Sequence, residues 1–221
     1  MTELADPPRP DTADMVSVHK VFRQALQSAP DLVGSASRHE RVEIVASFYG
    51  NVLDFLDIHH EGEDLLVWPR LLERCGGDSP TVSRIAAQHQ DVTPALHAAT
   101  ALVGPWAASG DAADGRRLID ALAEVERVLI PHLDEEESTV LPLCAEYLSA
   151  PEWGELPAHG LGNFRGDKIW LILGLIRENM TQHQRDEMLA HMPPPAVEMW
   201  TSMGNAAFDA FISELREGPT A

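Results

Sequence analysis

Histidine and glutamate four residues apart recur four times in this chain: His39 with Glu43, His59 with Glu63, His132 with Glu136 and His183 with Glu187. On an α-helix two such residues lie about 40° apart around the axis, so an imidazole and a carboxylate can reach one cation. The chain has ten histidines, and its Glu content predicts roughly 0.9 such pairs by chance. Four pairs are therefore an excess, and helical phase sorts them. Phe48 and Val52 lie within about 20° of His59, and Val125 and Leu143 equally close to His132, so these two pairs share the apolar face of their helices. His39 is about 200° from His59 and, with Glu43, faces solvent. His183 and Glu187 fall in a polar run and read as surface.

An unpaired ionised carboxylate in an apolar interior costs several kcal/mol, and two at one level repel each other. Cations between them remove both costs. His19 and His89 lie on the apolar stripes of two further helices, bringing four imidazoles together with Glu63 and Glu136. That donor set suits iron or another first-row metal better than magnesium or calcium, and six ligands suit two ions sharing the carboxylates. Four separately hydrogen-bonded buried histidines, or a single structural zinc, are the simpler alternatives. His60 could support His59 through a hydrogen bond, but about 100° off the core face it is expected rather to be solvated. Tyr49, at the edge of the stripe, is a candidate oxygen ligand or proton donor, and so the one candidate catalytic residue. His97 is expected at the surface, and Phe22, Phe55 and Trp106 are candidates for pocket walls.

The elements that must position these residues are helices, since apolar residues recur at three-four spacing and strand patterns are weak. The 221 residues carry a net charge of -19, which disfavours nucleic acid and anionic membranes as partners. Two cysteines, Cys75 and Cys144, and no apolar run of about 20 residues point to a reduced, cytoplasmic protein. Residues 1–13 read as a disordered arm, 14–149 as an all-α up-down four-helix bundle, and 150–221 as a C-terminal helical extension. Within the bundle, helices are expected from Asp14 to Ala29, stopped by Pro30; from Arg38 to Cys75, with a break at Trp68-Pro69; from Ser79 to Val103, stopped by Gly104-Pro105; and from Gly115 to Leu148. In the extension Thr181 and Gln184 form a capping box, and Pro193-Pro194-Pro195 stops a helix. The helices around Trp170 and around Trp200 and Phe208 either cover the bundle or offer an interface, to a second copy in a homodimer or to a signalling partner.

The pattern resembles the hemerythrin-like, or HHE cation-binding, domains. The resemblance rests on His19, on the run His59-His60-Glu61-Gly62-Glu63-Asp64 with Trp68-Pro69 after it, on His89, and on His132 with Glu136 followed by Leu141-Pro142. It implies a non-haem centre of two iron ions, oxo- or hydroxo-bridged, with His19, His59, His89 and His132 as terminal ligands and Glu63 and Glu136 as bridges. Oxygen carriers of the family have a second histidine one turn after the third-helix ligand, where this chain has Thr93. That departure implies an open iron position and reactive chemistry rather than carriage. The carriers also space the fourth-helix acid one residue further, which makes Glu137 the rival of Glu136; phase favours Glu136. The implied function is binding of oxygen, nitric oxide or hydrogen peroxide and redox detoxification with an electron donor. The alternative is a sensor or iron-binding module signalling through the C-terminal helices.

Overall fold

The computed structural model describes residues 8–36 and 39–217, and no strand occurs among them. The chain opens with α1 (Ala13–Gln27) and α2 (Ala29–Ser35). Pro30 does not act as the stop for α1, which ends at Ser28; it sits in the first turn of α2, where a missing N–H leaves no helical bond unmade. α3 (His39–Leu66) and α4 (Trp68–Arg74) are separated at Val67, two residues before Pro69, close to where the sequence predicts a break. α5 (Ser79–Ser109) then runs through Pro94 and also through Gly104-Pro105, where a break was expected. Val103 and Trp106 continue its apolar stripe and are buried, which offsets the backbone bond that Pro105 removes. Gly110, with φ 63°, ends it in the left-handed conformation.

The expected continuous fourth helix is three pieces: α6 (Ala112–Glu135), a π-helical turn (Glu136–Val140) and α7 (Leu141–Tyr147). The extension follows as α8 (Ala150–Trp153), α9 (Glu155–Asn163), α10 (Ile169–Glu178), α11 (Gln182–His191), α12 (Pro194–Met199), a second π turn (Trp200–Gly204) and α13 (Asn205–Glu217). Both bonds of the Thr181–Gln184 capping box are present at the start of α11. The triple proline does not only stop α11, since Pro194 and Pro195 form the first turn of α12. Residues 1–7 of the expected disordered arm lie outside the described residues. The rest of it is docked: the Pro8 carbonyl accepts the Ala150 N–H at 2.8 Å, and Pro10 is buried.

The bundle consists of α1, α3, α5 and α6, each packed on its neighbour: α1 on α3 and α6, α5 on α3 and α6. Its apolar core is in two clusters. One contains Met15, Val67, Trp68, Ile85, Val140 and Leu141; the other contains Phe22, Leu56, Val92, Leu129 and Leu133. Between the two clusters all four helices contribute buried polar residues: His19; His59, His60 and Glu63; His89; and His132 with Glu136. α10 and α13 lie against α3, and α10 also against α1. Their apolar faces, with Leu171, Ile172, Phe208 and Ile212, belong to the second core cluster, so they are buried within the chain's own core. No helix among the described residues is long and apolar enough to cross a membrane.

Candidate metal centre

The polar layer between the two clusters holds His19, His59, Glu63, His89, His132 and Glu136, all buried. Helix phase brings the first five inward. Glu136 comes inward at the start of the π turn, a feature often found at functional sites. Four nitrogens point at the two carboxylates: His59 Nε2 and His89 Nε2 lie 3.4 Å from Glu63, and His19 Nε2 and His132 Nε2 lie 3.5 and 3.6 Å from Glu136. None of these four nitrogens has a hydrogen-bond partner, nor has either Glu63 oxygen or Glu136 Oε2. Buried polar atoms are almost always paired. So many orphans converging on one point fit cations, which take lone pairs from all of them at once.

The outer nitrogens explain why the inner ones are bare. His19 Nδ1 donates to Glu137 at 2.9 Å, and His89 Nδ1 donates to Asp64 at 2.8 Å. His132 Nδ1 donates to Gln88 Oε1 at 3.1 Å, and Gln88 Nε2 is in turn held by Glu135 at 2.7 Å, with Arg84 on the other oxygen of Glu135. Each bond puts the proton on Nδ1 and leaves the Nε2 lone pair facing the centre, the arrangement usual for metal-bound imidazole. Asp64, Gln88, Glu135 and the orienting role of Glu137 were not identified from sequence. The only signal for them is adjacency, since each sits one residue from a core His or Glu. Glu137 is itself half-buried and bonded to His19 and Arg23, while Glu136 faces the interior.

Electrostatics without a cation are asymmetric. Burial opposes charge on Glu63, but His59 and His89 outweigh it and hold its carboxyl well below the usual range. Burial and the neighbouring Glu63 charge push Glu136 well above that range. Burial likewise lowers His59 to about 4 and His132 to about 3. Around His89 burial is outweighed by the hydrogen bond to Asp64 and by the nearby Glu63 carboxylate, which raise it to about 9. Two buried acids at one level call for positive charge beside them, a role that cations fill.

His60 is a correction. It is not solvated but 5% exposed, with neither ring nitrogen partnered. Phase on α3 alone points a residue 100° off the core face to solvent, whereas α5 and α9 cover the flanks of α3. The potential metal donors fall into two sets whose atoms lie within 4.8 Å of one another: His19, His59, Glu63 and Glu136; and His60, Glu63, His89 and His132. Tyr49 is a second correction. Its hydroxyl donates to the Ala25 carbonyl at 3.0 Å, and ten residues of helix place it about 15 Å from His59. It lies in the second apolar cluster, where burial raises its pKa.

Of the remaining candidates, Phe22 and Phe55 do wall the site, with the Phe22 ring 5.2 Å from both the His59 and Phe55 rings. Trp106 packs against Gly115 and lies away from it. His97 is exposed and faces Asp57 at 3.7 Å. His183 and Glu187 are exposed, as expected of a surface pair. Glu43 is exposed too, and the side chain of His39 lies outside the described residues.

A four-helix bundle with a buried His and Glu layer between two apolar clusters defines a cation-binding helical protein. The sequence profile of the hemerythrin HHE cation binding domain matches residues 11–144, and the chain belongs to that family. No curated protein and no solved structure matches it.

Proposed function

We propose that this chain holds two iron ions in the buried layer, that His19, His59, Glu63, His89, His132 and Glu136 would hold them, and that it binds and reduces small oxidants. The observation that carries the reading is the convergence of orphaned Nε2 and carboxylate atoms on one buried layer. When bound, iron supplies the electrons and the polarising charge for oxygen, nitric oxide or hydrogen peroxide. The chain's own residues do the rest. Glu137, Asp64 and Gln88 fix the imidazoles, and Phe22 and Phe55 keep the His59 side dry. Four imidazoles and two carboxylates fall short of filling two six-coordinate cations, which would leave room for a small ligand. Thr93 does not fill one, because its hydroxyl donates to the His89 carbonyl at 2.7 Å. An electron donor is the macromolecular or small-molecule partner this chemistry requires. A reducing cytoplasm is the compartment that suits it, with Cys75 and Cys144 free.

The test is metal content and absorption of protein reconstituted with ferrous iron without oxygen and then exposed to air. Two irons per chain with near-ultraviolet charge-transfer bands, followed by catalytic loss of peroxide or nitric oxide, is the expected result. One zinc or no metal would overturn it. A sensor is the second reading, favoured by the packing of α9 on α3 at Gly62, where His159 and Leu156 approach the backbone between His59 and Glu63. A sensor would bind oxidant stoichiometrically and change the protection of α9 from amide exchange instead of turning substrate over.

A further inference from the structure

We propose that His60 is a fifth imidazole ligand, completing a three-histidine set with His89 and His132 at one of the two cations; the inference rests on the two-cation reading above. His60 is buried, and neither Nδ1 nor Nε2 finds a hydrogen-bond partner. An imidazole carries at least one N–H in either tautomer, so an idle buried ring leaves both a donor and an acceptor unmet. The neighbours offer no relief. His89 Nδ1 is committed to Asp64 and His132 Nδ1 to Gln88, and the Nε2 atoms that these rings turn inward are likewise without a hydrogen-bond partner, so neither pairs with His60.

The rings are arranged for shared ligation. His60 stacks on His89 with centroids 4.1 Å apart and planes at 18°, and meets His132 edge-on at 5.3 Å and 89°. Its donor atom lies within 4.8 Å of those of His89, His132 and Glu63. Nitrogen ligands of a cation such as zinc sit about 2.0–2.1 Å from it, so opposite donors are separated by about 4.2 Å. The four atoms are therefore within small side-chain adjustments of one ion. Thr93, on the adjacent turn of α5, is occupied with its own backbone, and α3 supplies the third imidazole instead. The two donor sets are then unequal, three imidazoles against two.

Anaerobic titration of the metal-free full chain with ferrous iron tests this. Wild-type protein is expected to take two equivalents, and His60→Ala to keep the first while binding the second at least tenfold more weakly, with 1-methylimidazole restoring it. Equal uptake and an unchanged spectrum in His60→Ala would overturn the role of His60 while leaving the two-cation reading intact. Wild-type protein that takes up no metal would overturn both. If the variant does not fold, proton NMR of the cobalt-loaded wild-type chain decides. Five hyperfine-shifted imidazole N–H signals are expected, and four would overturn the proposal.

Discussion

His59 and His183 occupy the same four-residue pattern with glutamate, yet one is buried beside its partner and the other is exposed. Pattern alone does not separate them; phase against Phe48 and Val52 does. His59→Ala is expected to remove most of the bound iron, whereas His183→Ala leaves iron content unchanged, as elemental analysis of the two purified variants would show. Equal losses would refute the assignment by phase. The outer bonds belong to the same scale. Asp64→Asn weakens the acceptor of the His89 N–H without touching the ligand atoms, and such changes commonly cost about 10–100-fold in metal affinity. Competition with a chromophoric chelator should show a loss in that range, and no loss would mean that the Asp64 contact does not orient the ring. Residue-scale legibility ends at the flanks of the helices. His19, Glu63, His89 and Glu136 could be placed by three-four spacing on their own helices, but the burial of His60 depends on α5 and α9, which phase on α3 cannot report.

The elements were legible where local chemistry decides them and obscure where packing does. The capping box at Thr181, the interruption at Pro69 and the all-helical character are local, and each is present. The passage of α5 through Gly104-Pro105 is not local, since it depends on burying Val103 and Trp106. The π turn at Glu136 likewise adds a residue to a turn whose sequence reads as ordinary helix. Two glycines separate local propensity from packing in one experiment. A Cβ on Gly50, within α3, meets nothing within 4 Å, whereas on Gly174, within α10, it would lie 2.1 Å from the Phe208 ring. Gly50→Ala should therefore be neutral or stabilising by up to about 1 kcal/mol. Gly174→Ala should lose about 1–3 kcal/mol through overpacking. Because each kcal/mol moves the midpoint of a chain this size by about 2–4 °C, thermal melts resolve the difference. A Gly174→Ala melt as high as that of wild type would mean that α13 is not seated on α10.

At the scale of the whole molecule, the family match ends at residue 144, but the core does not. Leu171, Ile172, Phe208 and Ile212 of the extension share one apolar cluster with Val21, Phe22, Val45, Phe48 and Val52 of the bundle. Polar contacts fix the same docking: the side-chain amides of Asn179 and Gln24 exchange bonds of 2.9 and 3.1 Å, and Asn51 accepts the Lys168 N–H at 2.9 Å. Amphipathic helices were expected in this region, but their spacing alone does not say whether their apolar faces turn inward or toward another molecule. Here they turn inward, onto α1 and α3, the helices that carry His19, His59 and His60. Each large apolar side chain returned to water costs about 1.5–3 kcal/mol, and net stability is only about 5–15 kcal/mol. A chain ended at Ser149 loses several such contacts at once. It should melt more than about 10 °C lower than the full chain or aggregate, and take up less iron under the same reconstitution, because α1 and α3 are no longer held in register. Equal melting temperature and equal iron content would show that the bundle stands alone. The extension would then be a tethered accessory rather than the outer wall of the metal layer.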